Sequence, residues 1–181
     1  IKKYNNMKNI VATLSLLFAT TLSAQVAIGK SSISSPAVSL EFYDNPDNTR
    51  GIILPWVTST AAVTGAVNGT LVYNTADRKV YVKYASGWRD LSVDNTGTVT
   101  TTLQDSLTDQ DTAKVLIGGD PSTDTTPGIL VLADTNKAMV LPKVASPHLN
   151  IVNPSPGMMV YDTTKKQLAV FNGTVWSFWK P

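Results

Sequence analysis

The chain has 181 residues and a mass of 19.4 kDa, enough for one or two small domains with a real core. It has no cysteine, which excludes disulfide frameworks, thiolate metal sites and cysteine nucleophiles, and its single histidine, His148, excludes multi-histidine metal sites. Charged residues make up 15% and hydrophobic residues 43%, so this is no charge-rich disordered tail; beyond residue 24 the chain carries 12 basic and 13 acidic residues, a net of −1, which argues against an electrostatic nucleic-acid binder.

The first element in chain order is a leader. Met7 is the natural start, and Ile1 to Asn6 read as upstream translation. A short basic stretch, an apolar run from Ile10 to Phe18 and small residues up to Ala24 have the pattern of a secretory signal peptide, with cleavage expected after Ala24. The run is too short, and too broken by threonine and serine, to span roughly 30 Å of hydrocarbon. No later stretch can cross a bilayer as a helix. The expectation is an exported protein without a transmembrane span after cleavage. It would lie at the cell surface or outside the cell, with the periplasm as the alternative.

The mature chain then runs through one unit twice. The first copy, residues 25–93, holds Val26-Ala-Ile-Gly29, Gly51-Ile-Ile-Leu-Pro55, Gly69-Thr-Leu-Val-Tyr-Asn-Thr75, Val80 to Tyr84 and Gly87-Trp88. The second, residues 115–181, holds Val115-Leu-Ile-Gly118, Ala138-Met-Val-Leu-Pro142, Gly157-Met-Met-Val-Tyr-Asp-Thr163, Leu168 to Phe171 and Val175-Trp176. From Gly69 to Trp88 the copies align without a gap at an offset of 88, with identities at Gly69/Gly157, Val72/Val160, Tyr73/Tyr161, Thr75/Thr163, Val82/Val170 and Trp88/Trp176.

The β-branched and aromatic residues of Leu71-Val-Tyr73 and Val80 to Tyr84 flank a polar connection and predict a hairpin. Asn172-Gly173 predicts a tight turn in the second copy. Each unit is thus expected to be a three-stranded meander ending on a tryptophan, preceded by two short strands. Pro55 and Pro142 belong at strand ends, since neither can donate to a ladder. Thr58 to Val67 has the alanine content for a helical turn, while the prolines of residues 145–153 and beyond predict an irregular segment. Residues 94–114, rich in threonine and aspartate with only Val99, Leu103 and Leu107 to bury, read as a linker. The fold class is all-β: two similar small meander units joined by that linker.

These blocks resemble a repeat of exported surface or tail-fibre-like proteins of the Bacteroidetes: an "IG" start, a glycine-to-proline strand, a G-x-x-V-Y-(N/D)-T strand and a hairpin ending on tryptophan. The resemblance covers nearly all of residues 26–91 and 115–179. Trp56 and Lys143 stand where that family carries an arginine. The resemblance implies a structural protein of the cell exterior rather than a particular activity.

No constellation for chemistry emerges. His148 lies in Ser146-Pro-His-Leu-Asn150 with no acid or serine at a fixed spacing, so it reads as a loop or packing residue. No phosphate loop, dinucleotide fingerprint or nucleophile elbow is present. The acidic clusters Asp44 to Asn48 and Asp105 to Asp111 match no EF-hand loop and read as solvated turns. No catalytic, cofactor-binding or metal residue is therefore assigned, and no cofactor is expected. The repeat makes Trp88 and Trp176 core plugs for their units. Trp56 and Trp179 lack counterparts and are the candidates for contact with a partner subunit or a sugar.

Asp followed by Ser or Thr and an apolar residue resembles the O-glycosylation acceptor of exported Bacteroidetes proteins. Asp105-Ser106-Leu107 and Asp111-Thr112-Ala113 fit it strictly, and Thr125 and Thr163 fit a looser form. Together these readings predict a non-enzymatic structural protein that self-associates into a homo-oligomer or fibre, or joins other surface proteins. The alternative is a carbohydrate-binding surface module. A polymer hydrolase lacks a nameable carboxylate pair.

Overall fold

Both repeats carry the same seven strands in the same order, which is the sequence duplication expressed as structure. A computed structural model describes residues 25–108, 110 and 112–180; the leader and its cleavage point lie outside them. The first repeat runs β1 (Val26–Ile28), β2 (Val38–Phe42), β3 (Ile52–Ile53), β4 (Trp56–Val57), a 3-10 turn over Thr60–Ala62, then β5 (Leu71–Asn74), β6 (Lys79–Tyr84) and β7 (Gly87–Asp90). The second runs β8 (Val115–Ile117), β9 (Leu130–Leu132), β10 (Ala138–Val140), β11 (Lys143–Val144), helix α1 (Pro147–Asn150), β12 (Met158–Asp162), β13 (Gln167–Phe171) and β14 (Trp176–Trp179). The all-β class and its repeat-like organisation hold.

The meanders superimpose pair by pair. Leu71 opposes Val82 as Met159 opposes Val170, Asn74 opposes Lys79 as Asp162 opposes Gln167, and Lys83 opposes Trp88 as Phe171 opposes Trp176. Local chemistry sets both turns. Asn74 Oδ1 accepts from Ala76 N–H at 3.0 Å, and Asp162 Oδ1 accepts from Thr164 N–H at 2.9 Å. Each carboxamide or carboxylate thus closes an Asx turn before its hairpin reverses. Arg78 and Lys166, also 88 apart, take the left-handed conformation that completes each reversal, with φ of 62° and 54°. A parallel strand then flanks each meander: Trp56 pairs with Tyr73, and Lys143 with Tyr161. The chain bends between β3 and β4, and between β10 and β11, where Pro55 and Pro142 supply no N–H for a ladder.

Several expectations change. The segment after Pro142 forms a short helix, α1, because Pro147 occupies its first turn, where a missing N–H costs nothing. Each unit has seven strands rather than the expected five, the additions being β2 and β4 in the first repeat and β9 and β11 in the second. The signal for β2 lay in Val38-Ser-Leu-Glu-Phe42, whose alternation is that of a strand. Residues 94–114 are not a plain spacer at their start. Val99 packs on the core, Asn172 Nδ2 donates to Asp94, and Thr98 Oγ1 donates to Gly173 C=O, while Leu103 and Leu107 are exposed. Trp88 and Trp176 do share a register position, but both are half-buried rather than buried. Trp176 packs on the cluster of Val144, Ile151, Met158, Val160, Ala169 and Phe171. Its first-repeat counterpart, Trp88, lies beside the Lys83 ammonium instead, 5.9 Å from its ring centre, because Lys83 stands where the second repeat has Phe171.

The remaining core belongs to neither repeat alone. Leu54, Tyr73, Val80 and Leu91 of the first pack against Met159 and Val170 of the second. Two units of this size each bury little surface, so sharing a core is how they become stable.

Candidate assembly interface

Strand pairing between the repeats defines the principal site of the molecule. Strand β10 leaves its own repeat and adds in parallel to β2, with Met139 opposite Leu40 and Val140 opposite Glu41. In the other direction β3 adds antiparallel to β12, with Ile53 opposite Met158 and Ile52 opposite Met159. Each strand that precedes a proline bend is therefore used by the other repeat. The exposed edges of small meanders have unpaired backbone groups, and this exchange satisfies them.

Polar contacts lock the joint. Leu54 N–H donates to Gly157 C=O at 3.1 Å, and Ala138 N–H to Ala37 C=O at 2.9 Å. The Tyr73 hydroxyl, fully buried, donates to Asn172 C=O at 2.7 Å, and burial pushes its pKa up to about 12. Gly157, with φ of 78°, lies directly over Tyr73. A Cβ there would stand 2.8 Å from the Tyr73 Cβ, so only glycine admits the tyrosine. Trp56 donates its indole N–H to Pro156 C=O at 2.9 Å, and Trp179 donates to Leu91 C=O at 2.6 Å. Each of these half-buried tryptophans spends its polar atom on the opposite repeat. The Arg89 guanidinium lies over the Trp179 ring at 5.5 Å.

The most deeply buried charge at the joint is Glu41. Glu41, buried in β2, receives Lys30 Nζ at 2.8 Å and Ser34 N–H at 2.7 Å. Burial pushes its carboxyl pKa up, but those donors outweigh it and hold the pKa down at about 2. Lys30 also reaches Asp44 at 3.2 Å, and Lys143 of the second repeat meets Asp44 from the other side at 3.5 Å. The first acidic cluster is thus tied to lysines.

The other singled-out residues are dispersed. His148 sits exposed on α1 with its ring edge-on to Phe178, centroids 5.7 Å apart, and has no acid or serine hydrogen-bonded to it among the described residues. Ser106, Thr112, Thr125 and Thr163 are all exposed, and Asp111 lies outside the described residues. Among the described residues no group of three or more histidine, aspartate or glutamate side chains is placed to hold a metal, and no helix is long and apolar enough to cross a membrane. The sequence reading missed the joint because strand exchange leaves no local pattern; the trace available was Tyr73 and Gly157, two members of the repeat whose contact links copy to copy.

Residues 120–180, which take in β9 to β14, match the model of a family described as a phage tail like trimerisation region. The chain matches no curated protein and no solved structure. The family match supports a tail-fibre-like character and self-association, and with the all-β repeat it fits a structural subunit.

Proposed function

We propose that this chain is an exported, non-enzymatic structural subunit that trimerises as part of a fibre at the cell surface or outside the cell. The observation that carries the reading is the match of residues 120–180 to a trimerisation region, falling on a repeat whose partner repeat is already held by strand exchange. A unit stabilised by donating strands to a neighbour is suited to assembly, because the same pairing serves between chains.

The leader supports export, and the exposed Ser106 and Thr112 on a segment with little to bury support glycan attachment there, with Thr125 and Thr163 as looser acceptors. A glycan would place a solvating cover on the segment that links the repeats. Light scattering on residues 25–181 tests the central claim: the expected mass is three chains, and a monomer at all concentrations overturns it. Intact mass of host-secreted material is expected to show a start at Gln25 and added hexose on the peptide spanning residues 94–114.

A further inference from the structure

The two repeats are alike in sequence and register, yet corresponding surfaces have different fates. Strand β2 is buried because β10 covers its outer edge; Leu40 is 1% exposed. Its counterpart β9, placed by the matching parallel pairs Val26 with Leu40 and Val115 with Leu130, has only β8 beside it among the described residues, and Leu130 is 48% exposed. Strand β9 reads Leu130-Val-Leu132, with Ile129 exposed before it and no proline or lysine to guard it.

The same asymmetry recurs at the tyrosines. Tyr73 is 0% exposed beneath Gly157, whereas Tyr161, its counterpart, is 36% exposed. Gly157 is filled by Tyr73, whereas Gly69, with φ of 90° and so the same left-handed conformation, has nothing within 4 Å of a Cβ position. The second repeat thus has a bare strand edge and a loose tyrosine. The first repeat has an empty glycine seat and, in β3, a short strand paired on one side only among the described residues.

We infer that a second copy of this chain docks head to tail on the first, with β3 of the second copy added to β9 of the first and Tyr161 of the first seated on Gly69 of the second. This deepens the self-association proposed above and rests on it. The occupant is another copy because the missing neighbour is already present once in the molecule: β10 on β2, and Tyr73 on Gly157, are the contact to be repeated. The register carries over. Met139 opposes Leu40 and Val140 opposes Glu41, so Ile52 faces Leu130 and Ile53 faces Val131 across the chain boundary. Such a contact joins unlike surfaces. It closes as a ring when three copies complete a turn.

The absence of cysteine makes the register readable by cross-linking. Ile52→Cys and Leu130→Cys, made as separate variants and mixed, are treated with a short bismaleimide; Leu40→Cys with Met139→Cys in one chain is the control. The expected result is a link between chains in the mixture, little from either variant alone, and an internal link in the control. Tyr161→Ala is expected to weaken association tenfold or more without moving the unfolding midpoint of the single chain. If light scattering shows no self-association, both readings fall. If the chain associates but Leu130→Cys links to itself, or the mixture stays unlinked while the control closes, the head-to-tail joint alone is overturned.

Discussion

Tyr73 and Tyr161 occupy the same register position in two matching hairpins, and the hydroxyl of Tyr73 alone reaches across to the other repeat, bonding Asn172 C=O at 2.7 Å. One side chain is a core residue and its duplicate is a surface residue. The difference lies in what stands next to them, not in their sequence surroundings, and it marks the boundary where the internal repeat stops.

Tyr73→Phe keeps the ring but leaves Asn172 C=O without its donor in a buried site. The expected loss is about 1–2 kcal/mol, the cost of an unsatisfied buried carbonyl. Tyr161→Phe removes a hydroxyl from an exposed ring and is expected to change the stability of the isolated chain by less than about 0.5 kcal/mol. Urea unfolding of both variants at a concentration where the chain is monomeric checks the contrast.

Gly157→Ala and Gly69→Ala place a methyl on two backbones of similar positive φ. Both pay for the left-handed conformation, about 1 kcal/mol. Gly157→Ala also drives its Cβ to 2.8 Å from Tyr73 Cβ, a backbone-proximal atom that cannot swing aside. It is expected to cost at least about 2 kcal/mol more than Gly69→Ala, through the strain of an overpacked core. Thermal melting of the two variants side by side reads the difference.

Trp176→Ala removes a half-buried ring whose centroid lies 5.2 Å from that of Phe171, and is expected to cost about 2–3 kcal/mol. Trp88→Ala removes a ring set against the stem and ammonium of Lys83, outside the core clusters, and is expected to cost about 1 kcal/mol. Equal losses in denaturant unfolding would show that the first repeat buries its tryptophan as deeply as the second.

Glu41 makes stability depend on acid. Its folded-state pKa, about 2, lies below the ordinary value of 4.5, so between these values the unfolded chain binds the proton more readily. Its contribution is present in full above pH 4.5 and is lost as pH falls toward 2. At one pKa unit per 1.36 kcal/mol the loss is about 3 kcal/mol. Unfolding free energy measured from pH 6 to pH 2 is expected to fall through this window. Glu41→Gln is expected to start lower at pH 6 and show a shallower fall.

The chain's sequence by itself determined the hairpins, their turns and the repeat. Alternating β-branched and aromatic residues set the meanders, the Asx residues Asn74 and Asp162 set their turns, and the 88-residue offset set the equivalence of the two units. Those features need only a few neighbouring residues, so their signals survive in a linear reading. Tertiary structure alone decided that β10 belongs to the sheet of β2 and β3 to that of β12, that Trp56 and Trp179 bond to the opposite repeat, and that Tyr73 is buried while Tyr161 is not. Backbone hydrogen bonds between strands are indifferent to side-chain identity. Two matching units therefore offer interchangeable edges, and only packing in three dimensions selects which edge is filled and which is left bare.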